Sequence, residues 1–219
     1  MPDKKSAIQL FCTIIGIFVI FFVPHFGIGP VPFFYVLPVL LMVWLLLKVN
    51  KESFANLGFS FKRLEFKAVL TGAIAAVLLF IFLQYIFFPL LSKVIFLEKA
   101  NLDDFKNIRH NFPNYIFILI MGWLVGGIYE ELVFHGYIFK GIENIIKSRT
   151  GLITSFILTN LIFGIYHFQL GISGMINAFI AGCAYNAMAI KFQRNLWYAV
   201  FTHAFFDTIA LTFIYLGYW

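Results

Sequence analysis

Seven apolar runs follow one another along the chain, at residues 7–23, 31–47, 68–91, 114–139, 151–167, 172–190 and 195–216, with short polar stretches between them. A bilayer's hydrocarbon core takes roughly 17–25 apolar residues of helix to cross. The runs are continuous, whereas membrane-barrel strands alternate in polarity over about ten residues. They therefore predict helices. The first run follows Asp3-Lys4-Lys5 and ends at Pro24 without a small-residue cleavage site, so an uncleaved span is expected there. The sixth is diluted by Gly171, Ser173, Gly174, Asn177 and Gly182, residues that suit a helix packed closely inside a bundle. The last closes on Tyr215, Tyr218 and Trp219, an interfacial aromatic end. The expected fold is an all-α polytopic membrane protein, with about seven transmembrane helices in one bundle around an intramembrane polar site. No internal repeat or low-complexity tract interrupts it.

Composition narrows the class further. Of 219 residues, 62% are hydrophobic and only 12% charged. A soluble domain has about a quarter charged residues, so soluble, disordered, coiled-coil and disulfide-scaffold classes are excluded. The net charge of +6 fits a membrane better than nucleic acid, because basic residues gather in cytoplasmic loops and against anionic lipid. With the N-terminus inside and seven crossings, the inner segments hold Lys4, Lys5, Lys48, Lys51, Lys62, Arg63, Lys67, Lys140, Lys147, Arg149, Lys191 and Arg194. The outer ones hold Lys93, Lys99, Lys106 and Arg109, all within the loop 92–113. That asymmetry places the N-terminus in the cytoplasm and the C-terminus outside. The loop 92–113 reads either as a short amphipathic helix on the membrane or as a solvated connection. Cys12 and Cys183 lie within apolar runs, without disulfide or metal spacing, and are expected to be buried thiols.

The polar residues inside the spans are segregated. Glu130, Glu131, Asp207, His135, His167 and His203 all fall in spans four, five and seven, and spans one to three carry no ionisable side chain in their interiors. A carboxylate at the bilayer centre costs about 2.5–3.5 kcal/mol on insertion scales. Six such groups on three helices persist only if they face protein or a hydrated cavity. Residues four apart share a helix face, which pairs Glu131 with His135, Phe163 with His167 and His203 with Asp207. Glu130 and Glu131 lie about 100° apart around the axis. One should address a reaction centre and the other a supporting partner such as His135.

These segments resemble the motifs of the CPBP family, the CAAX-protease and bacteriocin-processing (Abi) intramembrane proteases. Glu130-Glu131-Leu-Val-Phe-His135 is similar to Glu-Glu-x-x-x-Arg, Phe163-Gly-Ile-Tyr-His167 to Phe-x-x-x-His, and His203-Ala-Phe-Phe-Asp207 to His-x-x-x-Asn/Asp, with Asn195-Leu-Trp197 ahead of the third. The resemblance implies a core at 114–212, preceded by a three-span region at 1–113 and followed by an end at 213–219. It implies an intramembrane endopeptidase acting on a peptide or lipid-modified protein, prenylated CAAX or bacteriocin-type; the small size and the Lys/Phe/Ile-rich composition point separately to the plasma membrane of a bacterium. Glu130 would activate water with His167, while His203 and Asp207 would stabilise the oxyanion or orient the water. Glu131, His135 and Phe163 would support them. One position departs: the usual Arg is His135, and an Arg grips a carboxylate with two parallel bonds where a neutral His offers one donor.

Several readings stay open. Glu130 or Glu131, His167, His203 and Asp207 form an adequate donor set for zinc as a metalloprotease would use it, but no His-Glu-x-x-His occurs and metal-free chemistry is the expectation. A non-catalytic immunity or scaffolding protein would keep the same fold, and a proton- or ion-coupled transporter would also bury such groups. The substrate and oligomeric state are not legible. An ionised Asp207 cannot donate to an oxyanion, so it would be protonated or would fix the tautomer of His203. Depth poses a difficulty. Glu130 and His203 would sit roughly 12–14 Å from the inner edge, but His167 roughly 24 Å. Either span five begins below the bilayer and is tilted, or its limits lie nearer 155–173, which is the expectation.

Overall fold

The computed structural model describes residues 4–27, 32–146 and 148–218, without the side chains of Lys4, Lys5 and Arg149. Asp3, Lys147 and Trp219 from the charge and aromatic arguments lie outside these residues. The described chain is all-helical. Its main helices are α1 (Lys4–Phe22), α2 (Val36–Val49), α3 (Phe66–Leu91), α4 (Phe112–Ile146), α5 (Arg149–Tyr166), α6 (Gly171–Lys191) and α7 (Leu196–Tyr215). Five are long and apolar enough to cross a membrane, and α2 and α5 are shorter apolar helices. The chain is a multi-pass membrane protein.

The apolar faces point outward as lipid demands: Phe11, Ile14 and Phe18 on α1, Leu37 and Leu41 on α2, and Ile74 and Leu78 on α3 are exposed. The inside holds the polar groups. Helix α7 is the hub and packs against α3, α4 and α6. Close approach to α3 depends on Gly72, where an added Cβ would lie 2.9 Å from the backbone of Phe201 and Thr202.

The N-terminus of α7 is anchored by its polar residues. Asn195 Oδ1 accepts from the Trp197 N–H at 3.3 Å, and its Nδ2 donates to Arg63 O at 2.9 Å. Trp197 Nε1 donates to Ser60 O at 2.9 Å. Gly58 has φ +97°, and its carbonyl accepts from the Leu196 N–H; a side chain there would run into Arg194 O. Ion pairs Lys140–Glu52 at 3.0 Å and Arg194–Glu143 at 2.7 Å join the same end of the bundle.

Three expectations are corrected. First, α5 ends at Tyr166, and His167 caps it, so span five does not shift to 155–173. Instead α4 continues through Phe139–Ile146, well past the expected limit at 139. Its half-buried polar positions, Lys140 and Glu143, form the ion pairs above, so charge did not end the helix there. Glu130 is thus roughly 24 Å from the end of α4 and His167 roughly 27 Å from the start of α5, at 1.5 Å per residue. Counted from these two helix ends the depths nearly match, and the conflict disappears. Second, the loop 92–113 is neither form outright. Asp103–Ile108 is a short 3-10 helix with Ile108 buried against Leu211 and Ile214, and the stretch before it is irregular. Its ties reach both α6 and α7: the Ser173 hydroxyl donates to Glu98 O, the Asn101 N–H to Leu170 O at 3.0 Å, and the His110 N–H to Tyr215 O at 3.0 Å. Third, Cys12 is buried, but Cys183 is only half-buried.

Candidate active site

The middle of α4, Gly122–Ile138, is wound wider than an α-helix, in the i→i+5 pattern. Such widening is rare and usually brief, and it is frequent at functional sites. Gly126 and Gly127 lie on the face toward α7, where an added Cβ at Gly126 would come to 3.3 Å from His203 Nε2 and one at Gly127 to 3.0 Å from Ala204 Cβ. Small residues at both positions let α4 bring its two glutamates against α7.

The two glutamates face different groups. Glu131 Oε2 lies 2.7 Å from His135 Nδ1, and its Oε1 lies 2.8 Å from His203 Nδ1. Glu130 Oε2 lies 3.9 Å from His167 Nε2 and 4.0 Å from His203 Nε2. Asp207 Oδ2 is 3.6 Å from the same His203 nitrogen. Exposure separates the carboxylates too. The Glu131 and His135 side chains are 0% exposed, whereas Glu130 is 10%, His167 17% and Asp207 26% exposed. Among the described residues of the cluster, the Glu130–His167–Asp207 side is the more exposed one.

Tautomers follow from the partners. His167 Nδ1 lies 2.8 Å from Phe163 O, a carbonyl that can only accept, so Nδ1 carries hydrogen. A neutral His167 then presents the lone pair of Nε2 to the site. His203 Nδ1 is fixed by Glu131, not by Asp207, whose 3.6 Å contact is beyond hydrogen-bond length. Of the two alternatives left open for Asp207, fixing that tautomer has no hydrogen bond behind it here. Phe163 stands among three imidazoles, with ring centroids 5.3 Å from His135, 4.7 Å from His167 and 6.0 Å from His203. It keeps the space between them apolar.

All seven residues singled out in the sequence thus come together, in an open group and a sealed group. Three features were not anticipated. Asn160 of α5 presents its Oδ1 3.0 Å from His135 Nε2. Tyr185 of α6 stacks on His203 at 4.3 Å and 18°. Tyr35, Tyr129 and Tyr166 gather beside Glu130, and the buried Tyr129 hydroxyl has no hydrogen-bond partner among the described residues. Asn160 had a sequence signal, a polar residue seven before His167 on the same helix face. The tyrosines had none, in a chain with 20% aromatics.

Residues 112–209 match the family described as Type II CAAX prenyl endopeptidase Rce1-like. This segment is an Rce1-like domain. It contains every residue of the cluster, and family membership implies protease activity and peptide substrates. No match was found among curated proteins or solved structures. Zinc is the metal that the donor types in this Rce1-like domain would suit. Zinc holds His nitrogens and carboxylate oxygens at about 2.0–2.2 Å in tetrahedral geometry, which sets neighbouring donors roughly 3.4 Å apart. Here the free donors stand 3.6–4.0 Å apart, and both Glu131 oxygens are taken by imidazoles. No group of three or more His, Cys, Asp or Glu among the described residues is placed to hold a metal ion. The donor set does not fit zinc in this arrangement.

Proposed function

We propose that the protein is an intramembrane endopeptidase that hydrolyses a peptide bond of a membrane-anchored substrate, of the lipid-modified CAAX class, with water activated by Glu130. The observation that carries this reading is the placement of the partly open Glu130 carboxylate 3.9 Å from the Nε2 lone pair of His167. That gap is too long for a direct hydrogen bond and suits a water that donates one hydrogen to each acceptor. As the water oxygen attacks the carbonyl carbon, Glu130 takes its proton. His203, held through Nδ1 by Glu131, donates from Nε2 to the oxyanion when it carries its second proton. Asp207 adds a donor in its protonated form. The proton on Glu130 then passes to the leaving amine as the C–N bond breaks.

In this reading residues 114–212 are the catalytic core and 1–113 flank it. All seven helices span the membrane, α2 and α5 included, with the N-terminus on the cytoplasmic side of a bacterial plasma membrane. The joined basic end of the bundle, with Lys140, Arg63 and Arg194, supports that orientation. The test is cleavage of a prenylated CAAX peptide and of an unmodified membrane-anchored peptide by protein in liposomes. Glu130→Gln is expected to slow turnover by about 10²–10⁴-fold, the usual worth of a general base. Equal turnover by folded Glu130→Gln would contradict the proposal.

A further inference from the structure

Both ring nitrogens of His135 face acceptors. Nδ1 lies 2.7 Å from Glu131 Oε2, and Nε2 lies 3.0 Å from Asn160 Oδ1. The orientation of the Asn160 amide is settled by its other end, because Nδ2 donates to Phe156 O at 2.7 Å, so the oxygen is the atom turned to His135. Beside an ionised Glu131, which can only accept, a neutral imidazole with one donor and one acceptor nitrogen would leave one of these contacts as two facing lone pairs. Within a group whose side chains are 0% exposed at Glu131 and His135, no solvent takes up the mismatch. The ring meets both contacts by donating from both nitrogens.

The surroundings are shaped for this arrangement. Gly182 of α6 sits opposite, and a Cβ there would lie 2.9 Å from Asn160 Oδ1 and 2.7 Å from Phe163 Cδ1. The groups in the sealed space form one chain over three helices: Asn160 to His135, His135 to Glu131, and Glu131 to His203 at 2.8 Å. Beyond His203 lies the open site.

We propose that Asn160 and His135 act as a pair of positioning residues, in which the Asn160 carbonyl holds His135 as a double donor so that Glu131 stays directed at His203 Nδ1. A single arginine in place of His135 would supply two donors without help from residue 160. The link to turnover rests on the endopeptidase reading; the state of the ring does not.

Two measurements separate these. In protein with ¹⁵N-labelled histidine in nanodiscs near neutral pH, the His135 resonances, assigned by loss in His135→Arg, should report hydrogen on both ring nitrogens. A bare nitrogen at either position overturns the proposal, whatever the protein's activity. The second is peptide cleavage by Asn160→Leu in two backgrounds. In the native background it should lower kcat by about tenfold with little change in KM, within the coupling expected of residues in contact. In the His135→Arg background the same change should cost less than about threefold. Equal factors in the two backgrounds would show that Asn160 acts only by packing and would overturn the pairing. Loss of cleavage by the native protein itself would strike the endopeptidase reading and leave the ring measurement standing.

Discussion

At the residue scale, the adjacent glutamates are chemically alike and differ only in surroundings. Glu131 spends both oxygens on imidazoles and is sealed, while Glu130 has an open oxygen near two Nε2 atoms. The roles should separate in kinetics. Glu131→Gln keeps the size of the side chain but weakens the hold on His203 and His135, so it is expected to lower kcat by about 10–100-fold, less than Glu130→Gln. Parallel cleavage assays on the two variants check this ordering, and a Glu131→Gln loss larger than that of Glu130→Gln would reverse the assignment. The charged members of this division were legible in the sequence, because an ionisable residue in an apolar run stands out. Neutral members were not. Asn160 looks like any helix-packing polar residue until its carbonyl is seen against His135, and Tyr185 is one aromatic among many.

At the element scale, the helices are positioned by glycines and by polar ends. Gly72 brings α3 onto α7, and its missing Cβ is replaced by the backbone of Phe201 and Thr202, which cannot swing aside. Gly72→Ala is therefore expected to destabilise the fold by about 1–3 kcal/mol, as overpacking does, and thermal unfolding in detergent would read it. No change in unfolding would mean that α3 moves freely against α7. The seven apolar runs located every main helix, since hydropathy follows from the bilayer itself. Their limits were less legible. Helix α4 runs on past residue 139 through Lys140 and Glu143 because these side chains find Glu52 and Arg194, partners distant in sequence. The widened winding of Gly122–Ile138 has no hydropathy signature either, because it concerns backbone hydrogen bonds.

At the scale of the whole molecule, apolar side chains face outward on the helices, the carboxylates and imidazoles of α4, α5 and α7 face the site, and Arg63, Lys140 and Arg194 gather at one end. The end carrying the turn at 192–195 should face the cytoplasm, and the loop at 92–108 the exterior. In a variant lacking Cys12 and Cys183, a cysteine at Gln193 should resist a membrane-impermeant thiol reagent applied to intact cells, and one at Asn101 should react. The opposite labelling would invert the topology. All of this serves one claim, that Glu130 and His167 act on the same water. The direct test is a double-mutant cycle in the cleavage assay. Groups that act as a unit lose little more together than the worse one loses alone. Glu130→Gln/His167→Ala should therefore cleave within about threefold of the slower single variant; losses that multiply would mean the two residues work at separate places.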